Sequence, residues 1–350
     1  MAILRSLPAW GIRTFVAGLA AAACALPALA FDLVKIGNLN TIADIQLHIA
    51  DERGYFAKEG IQAEFILFDA SAKMIAPLGT GDLDVGGGAT AVSLFNAIDR
   101  GIGVRIVADK GRTEKGYVYQ SLVLRKALVE SGRFKSYADL KGLKIAQGAA
   151  GVGPWSVLNE MAKAGGISYD DIEKLYMAFP QQVAAMKSGA VDGSIMNEPF
   201  KTLLVREGVA VEFAPTEDVF PNYELSLLLY GDRFRTQRAD VAMRFMRAFL
   251  RGARDYNDAL ADGRWRKDGK ADEIISIFAR RTDKPFELIA AITPPASDPD
   301  GAIRLESVRK DLAFFQAQGE VTNKALNVEQ CLDMSFAGAA AKELGVYVRK

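Results

Sequence analysis

The chain has 350 residues, half of them hydrophobic and a quarter charged, with 43 basic residues against 43 acidic ones. That is ordinary globular composition, and without a polybasic stretch it argues against nucleic acid as a partner. One histidine, His48, and two cysteines, Cys24 and Cys331, are too few for a His/Cys metal cluster, and a Ser-His-Asp site could be built only around His48.

The first thirty residues read as a secretory signal peptide. Arg5 and Arg13 supply the positive start and residues 15–26 an apolar run. Pro27 breaks that run, and Ala28 and Ala30 are the small residues of a cleavage site after Ala30. The expected location is the periplasm. A transmembrane anchor is the other reading, but the stretch is short, Ala-rich and broken by proline. A lipoprotein anchored through Cys24 is a third, although Ala21-Ala22-Ala23 lacks the leucine such sites carry. After cleavage Cys331 stands alone, so no internal disulfide can form.

From residue 33 onward, short β-like runs alternate with helical ones. Residues 33–37 read as a buried strand, 43–58 as a helix interrupted at Gly54, and 61–67 as a half-buried strand. Residues 71–78 are helical, Val85 marks a short strand, 89–100 a helix and 104–108 a strand. The rhythm resumes at Ser121 and runs to about Phe213. After Leu229 the pattern is helical, over 237–260, 272–279, 304–318 and 335–344. Such alternation predicts an α/β fold of mostly parallel sheets flanked by helices.

The chain also repeats itself at a spacing of about 108 residues. Ile75-Ala-Pro-Leu-Gly-Thr-Gly81-Asp-Leu-Asp84 matches Val183-Ala-Ala-Met-Lys-Ser-Gly189-Ala-Val-Asp192, and Lys35-Ile-Gly37 parallels Lys144-Ile-Ala146. Two similar α/β lobes are the physical reading. Ligands bind beyond the carboxyl ends of strands in such sheets, so equivalent loops would face one cleft. The echo nominates them in pairs: Asn38-Leu39-Asn40 with Gln147-Gly148-Ala149, and Gly87-Gly88-Ala89-Thr90 with Ile195-Met196-Asn197-Glu198. Each could also be no more than a tight turn.

Several residues in these loops suit ligand contact. The glycines Gly148, Gly151 and Gly153, with Pro154 opening a helix, suit an anion at a helix N-terminus. Ser71 and Thr90 begin two further helices. The loops carry no Arg, which weakens the case for a tightly held oxyanion. Glu198 would suit a ligand amine, or it is a helix-start carboxylate beside Pro199. Trp155, Tyr117 and Tyr119 could stack on a flat ligand or pack the lobes. Asn38, Asn40, Gln147 and Asn197 could hydrogen-bond a polar heterocycle or a zwitterion. His48 reads as a structural histidine. Asp84 and Asp192 read as turn supports rather than an acid–base pair, so no catalytic residue is expected. There is neither a P-loop nor a Rossmann glycine pattern, and no cofactor is expected.

The motifs Gly54-Tyr-Phe-Ala-Lys-Glu-Gly60, Gly81-Asp-Leu-Asp84-Val-Gly86, Ser136-Tyr-Ala-Asp-Leu-Lys-Gly142, Ser188-Gly-Ala-Val-Asp192-Gly193 and Asn197-Glu-Pro-Phe200, in this order, resemble the nitrate/sulfonate/taurine-type periplasmic solute-binding proteins of ABC transporters. These fall in a thiamine-pyrimidine-precursor-binding-like superfamily. The resemblance implies a two-lobe, type II periplasmic binding protein fold with two hinge crossings. Lobe 1 would hold 31–114 and 226–350, lobe 2 would hold 115–225, and 111–119 and 220–227 would be the hinge. It implies a monomeric receptor that captures a small molecule (sulfonate, nitrate, taurine or a heterocycle) and delivers it to a permease driven by ATPase subunits. An exported enzyme and a ligand sensor are the alternatives on the same scaffold.

Overall fold

The computed structural model describes residues 31–350; the expected signal peptide, its cleavage after Ala30 and the Cys24 alternative lie outside them. Two five-stranded sheets form the framework. In chain order the strands are β1 (Asp32–Asn38), β2 (Ile61–Leu67), β3 (Val85–Gly88), β4 (Arg105–Gly111), β5 (Gln120–Arg125), β6 (Lys144–Gln147), β7 (Glu173–Tyr176), β8 (Gly193–Asn197), β9 (Ala210–Pro215) and β10 (Ser226–Tyr230). The first sheet has the order β2-β1-β3-β10-β4 and the second β7-β6-β8-β5-β9. The two orders map onto each other strand for strand.

Both sheets are mixed but mostly parallel, as expected: four strands of each run the same way, and one, β10 or β5, is reversed. β1 runs parallel to β2 and β3, and β6 to β7 and β8. β10 is antiparallel to β3 and β4, and β5 to β8 and β9. The cause is the route of the chain. β5 and β10 are the first strands after it passes from one sheet to the other. Each enters at the end where the parallel strands finish, as the Leu227–Gly88 pairing shows. The two passing segments run side by side: Thr113 N–H donates to the Tyr223 carbonyl at 2.9 Å, and Tyr223 N–H to Thr113 Oγ1 at 3.2 Å.

The sequence echo is a structural one. Helices Ile75–Thr80 and Phe179–Ser188 stop at Gly81 and Gly189, with φ of 83° and 79°. Left-handed backbone of this kind favours glycine. The aspartates that follow do the same work in each sheet. Asp84 accepts from Lys35 N–H (2.9 Å) at β1 and from Arg238 (3.1 Å). Asp192 accepts from Lys144 N–H (3.0 Å) at β6 and from Arg125 (2.9 Å). They anchor strand starts, at the end of each sheet away from the chain crossings.

The C-terminal helices cover the first sheet. Helix Ala239–Asp258 buries Phe245, Phe249 and Leu250 against Val34, Ile36 and Val107. It approaches helix Ile45–Glu52 so closely that a Cβ on Gly252 would lie 2.4 Å from the Gln46 carbonyl oxygen and 3.1 Å from Ala50 Cβ. Gly252→Ala is therefore expected to lower the unfolding free energy by about 1–3 kcal/mol, measured by urea denaturation. Unchanged stability would mean that the helix pair moves apart without cost.

Candidate functional site

A cavity lies where the two sheets face each other, enclosing about 490 Å³ including its open mouth. Its walls are built from matched positions. Leu39 follows β1, and Gly148 follows β6. Ala70 and Ser71 lie three and four residues past β2, and Phe179 three past β7. Gly88 and Asn197 end β3 and β8. Leu225 and Ser226 open β10, as Tyr119 precedes β5. Thr41, Ala43, Val152 and Pro154 complete the lining from the segments after β1 and β6.

The walls are largely apolar, and their polar groups are mostly neutral. Asp69 and Tyr119 are the ionisable side chains lining the cavity among the described residues. Asp69 is exposed and paired with Lys73 at 2.6 Å. Tyr119 is fully buried, and burial raises its phenol well above the usual range. Its hydroxyl donates to the Gly111 carbonyl at 3.4 Å.

Two amides converge on this space. Asn197 Oδ1 accepts from Gln120 Nε2 at 2.7 Å, which orients the Asn197 amide and leaves its N–H₂ for another partner. Gln147 ends β6 with its side chain buried, and its Nε2 has no hydrogen-bond partner. A buried donor without an acceptor costs about 1–3 kcal/mol, which a ligand oxygen or ring nitrogen could offset.

The sequence-nominated residues thus divide. Ser71, Gly88, Ala89, Gln147, Gly148 and Asn197 line the cavity. Asn38, Asn40, Thr90, Gly151, Trp155 and Glu198 stand outside its lining. Asn38 is buried at the end of β1 with Oδ1 unpartnered, and Asn40 takes φ 52° in the turn that follows. The Trp155 indole is fully buried and donates to the Ala149 carbonyl at 2.6 Å, so it packs the lobe. Glu198 does not face the cavity. Its carboxylate accepts from Thr202 N–H (3.0 Å) and Thr202 Oγ1 (2.8 Å) and pairs with Lys201 at 3.4 Å. It caps helix Phe200–Arg206, the second of its two sequence readings. Burial raises its pKa, and Lys201 opposes that rise.

At the helix start that follows the glycine-rich loop, the N–H groups expected to hold an anion are taken by the protein itself. Trp155 N–H donates to the Val152 carbonyl (3.0 Å), Ser156 N–H to Gly153 (2.8 Å), and Gly153 N–H to Thr90 (2.9 Å). Pro154 has no N–H to offer. Thr90 and Gly151 belong to the same closure, because Val92 N–H donates to the Gly151 carbonyl at 2.8 Å.

Phe179, Tyr119 and Leu225 supply much of the apolar wall. Phe179, placed after β7 as Ala70 is after β2, was not nominated from the sequence. Tyr119 was named from the sequence as a residue that could stack on a flat ligand; Leu225, which like it immediately precedes the strand after a crossing, was missed, because the echo has no glycine or aspartate marker there.

Two mixed five-stranded sheets with a cavity at their strand ends define the periplasmic-binding-protein fold. The chain belongs to the NMT1/THI5-like family, whose profile matches residues 43–259. A putative ABC transporter periplasmic binding protein of Brachyspira hyodysenteriae is 25% identical over 298 residues, 81% of this chain and 82% of that one. Among solved structures, the nitrate-binding protein NrtA of Synechocystis superposes with a TM-score of 0.73 at 16% identity, over 90% of this chain and 89% of that one. The alkanesulfonate-binding protein SsuA of Xanthomonas axonopodis, bound to MOPS, gives 0.67 at 20%, over 86% and 98%. The desulfurization enzyme DSZB shares the fold, with 0.60 at 16% over 90% and 100%. The nitrate- and alkanesulfonate-binding proteins, the type that the sequence motifs resemble, thus share this chain's fold.

Proposed function

We propose that this protein is the exported, monomeric receptor of an ABC importer, holding a small solute in the cavity between two lobes and presenting it to a permease. Residues 31–114 and 226–350 would form one lobe and 115–225 the other, hinged at 111–119 and 220–227. The ligand would place an acceptor atom against Gln147 and Asn197 and its apolar body against Tyr119, Phe179 and Leu225. Ser71, Gly88, Ala89 and Gly148 would shape its outline. The buried, unpartnered Gln147 Nε2 carries the reading, because folding left that donor without an acceptor. A catalytic role on the scaffold of the desulfurization enzyme finds less support. The cavity lining has no His, Cys, Lys or Arg among the described residues, and its one carboxylate, Asp69, is exposed and paired with Lys73.

A thermal-shift panel of sulfonates, nitrate, taurine, aromatic carboxylates and pyrimidines tests the reading, since a cognate solute stabilises the folded state it binds. Gln147→Leu is expected to lower affinity for the hit about tenfold or more while leaving the ligand-free melting temperature equal or higher. Binding unaffected by that change would remove the amide from the site. Turnover of a panel member without any stabilisation would favour the enzyme.

A further inference from the structure

A second set of contacts joins the two sheets beside the cavity. Ala91, after β3, forms an antiparallel bridge with Val152, after β6. Against that bridge lies Asp311 of helix Leu305–Ala317, wholly buried. Thr90 Oγ1, from the first sheet's side, donates to Asp311 Oδ2 at 2.5 Å. Ser156 Oγ, from the second sheet's side, meets Asp311 Oδ1.

Burial and the absence of a cation partner among the described residues point to a neutral Asp311. Ser156 Oγ lies within hydrogen-bond reach of both Asp311 Oδ1 and the Gly153 carbonyl (2.8 Å), and its single proton serves only one of them. A proton on Asp311 lets both contacts be hydrogen bonds. A neutral carboxyl satisfies all three groups: its O–H donates to Ser156 and its carbonyl oxygen accepts from Thr90. An ionised one would draw the Ser156 proton away from Gly153 and hold a buried charge. Burial agrees with this, pushing the carboxyl up to about 7; the two hydroxyls, where they donate to the ionised form, oppose that rise.

The surrounding titratable groups are few. Tyr223 faces Asp311 across Gly153, where an added Cβ would lie 2.5 Å from Thr90 Oγ1 and from the Tyr223 hydroxyl and 2.9 Å from Asp311 Oδ2. On its own helix, Arg309 is turned to Glu306 and Glu329, and Lys310 stands over the Phe220 ring at 4.9 Å. Glu320 lies near Gly151, with Oε2 3.7 Å from the place of its Cβ. Asp311 forms no ion pair with any of these.

We propose that neutral Asp311 is the latch of the closed cleft, tying Thr90 to Ser156 so that the sheets part more readily once its proton is lost. The inference rests on the reading of the two sheets as lobes that move. The sign follows from linkage. Closure holds the carboxyl's pKa above that of a solvated carboxyl, so closure is strongest in acid and weakens as pH rises through about 7. A separation of about three pKa units bounds the change in the open-to-closed ratio at about a thousandfold.

The test is a distance in the ligand-free protein. Leu67 and Tyr176, exposed at the ends of β2 and β7, are changed to Cys and spin-labelled; Cys331 is buried away from the reagent. Pulsed electron resonance at pH 5 and pH 8.5 is expected to give a short distance in acid and a growing longer population in base. Asp311→Asn should stay short at both, because its amide donates to Ser156 and accepts from Thr90. Asp311→Ala and Ser156→Ala should be long at both, and the serine variant carries the test if the alanine variant at 311 does not fold. If the wild type changes with pH while both alanine variants follow it, the latch lies elsewhere and the proposal fails. One unvarying distance in every protein overturns the lobe motion, and the latch with it.

Discussion

Lys110→Met is expected to lower the unfolding free energy by about 3–5 kcal/mol and to loosen one wall of the cavity. Lys110 Nζ and Asp44 Oδ1 are 2.5 Å apart, with side chains 1% and 0% exposed. Removing one member of such a pair strands the other charge in a medium that solvates it poorly, which accounts for the size of the loss. The consequence reaches the site through Asp44. Its other oxygen accepts from Leu39 N–H and Thr41 N–H, both at 3.1 Å, and both residues line the cavity. The pair therefore fixes the turn after β1. Urea denaturation of Lys110→Met, Asp44→Asn and the double variant checks the account. Removing both charges should recover much of what the first change loses. A double variant as unstable as the sum of the two singles would mean that packing, not charge, holds Lys110 in place.

The framework was legible because its signals are local. A helix stop at Gly81 and Gly189 followed three residues later by Asp84 and Asp192 is a short pattern, and it occurs twice. Each aspartate then closes on a backbone N–H of the neighbouring strand, Lys35 in β1 and Lys144 in β6, so the pattern carries the strand order with it. The mixed pairing was not legible, because the direction in which β5 and β10 enter depends on where the chain crosses, not on their apolar runs. Helix Phe286–Ala291 and the hairpin of Leu260–Ala261 with Arg264–Trp265 were missed as well. Six residues, or two per strand, give too little periodicity to read.

The site shows the same division. Residues ending a strand, such as Gln147 and Asn197, were found because the echo marks strand ends. Thr90 was nominated for the same reason, yet its hydroxyl is taken up by a partner the local pattern cannot show. Thr90 is bonded to Asp311, 221 positions away, and Glu198 to Thr293, 95 away. Whether a polar side chain faces a ligand or the protein is decided by such distant partners. The polarity of the loop sequences alone could not separate the two.

His48 gives the second large effect, an acid-dependent loss of stability. It is the only histidine in the chain. Its ring is buried between Phe65 and Phe278, with centroids at 4.9 and 6.1 Å, and neither ring nitrogen has a hydrogen-bond partner. Burial pulls its pKa down from 6.5 to about 4, with Asp44 opposing and Arg281 and Lys110 adding to the fall. Between those two values the unfolded chain binds the proton and the folded one does not. Stability must then rise with pH across that window. The contribution is complete above about pH 6.5 and is lost as pH falls through about 4, at a cost of about 3 kcal/mol. Asp311 acts with the opposite sign over part of the same range, so the wild-type profile alone is ambiguous. The difference between wild type and His48→Leu isolates the imidazole, since both keep every other titrating group. Urea midpoints at pH 7.5 and pH 4.5 should show the wild type losing more stability than the leucine variant on acidification. Parallel profiles would show that the ring takes up its proton without leaving the core.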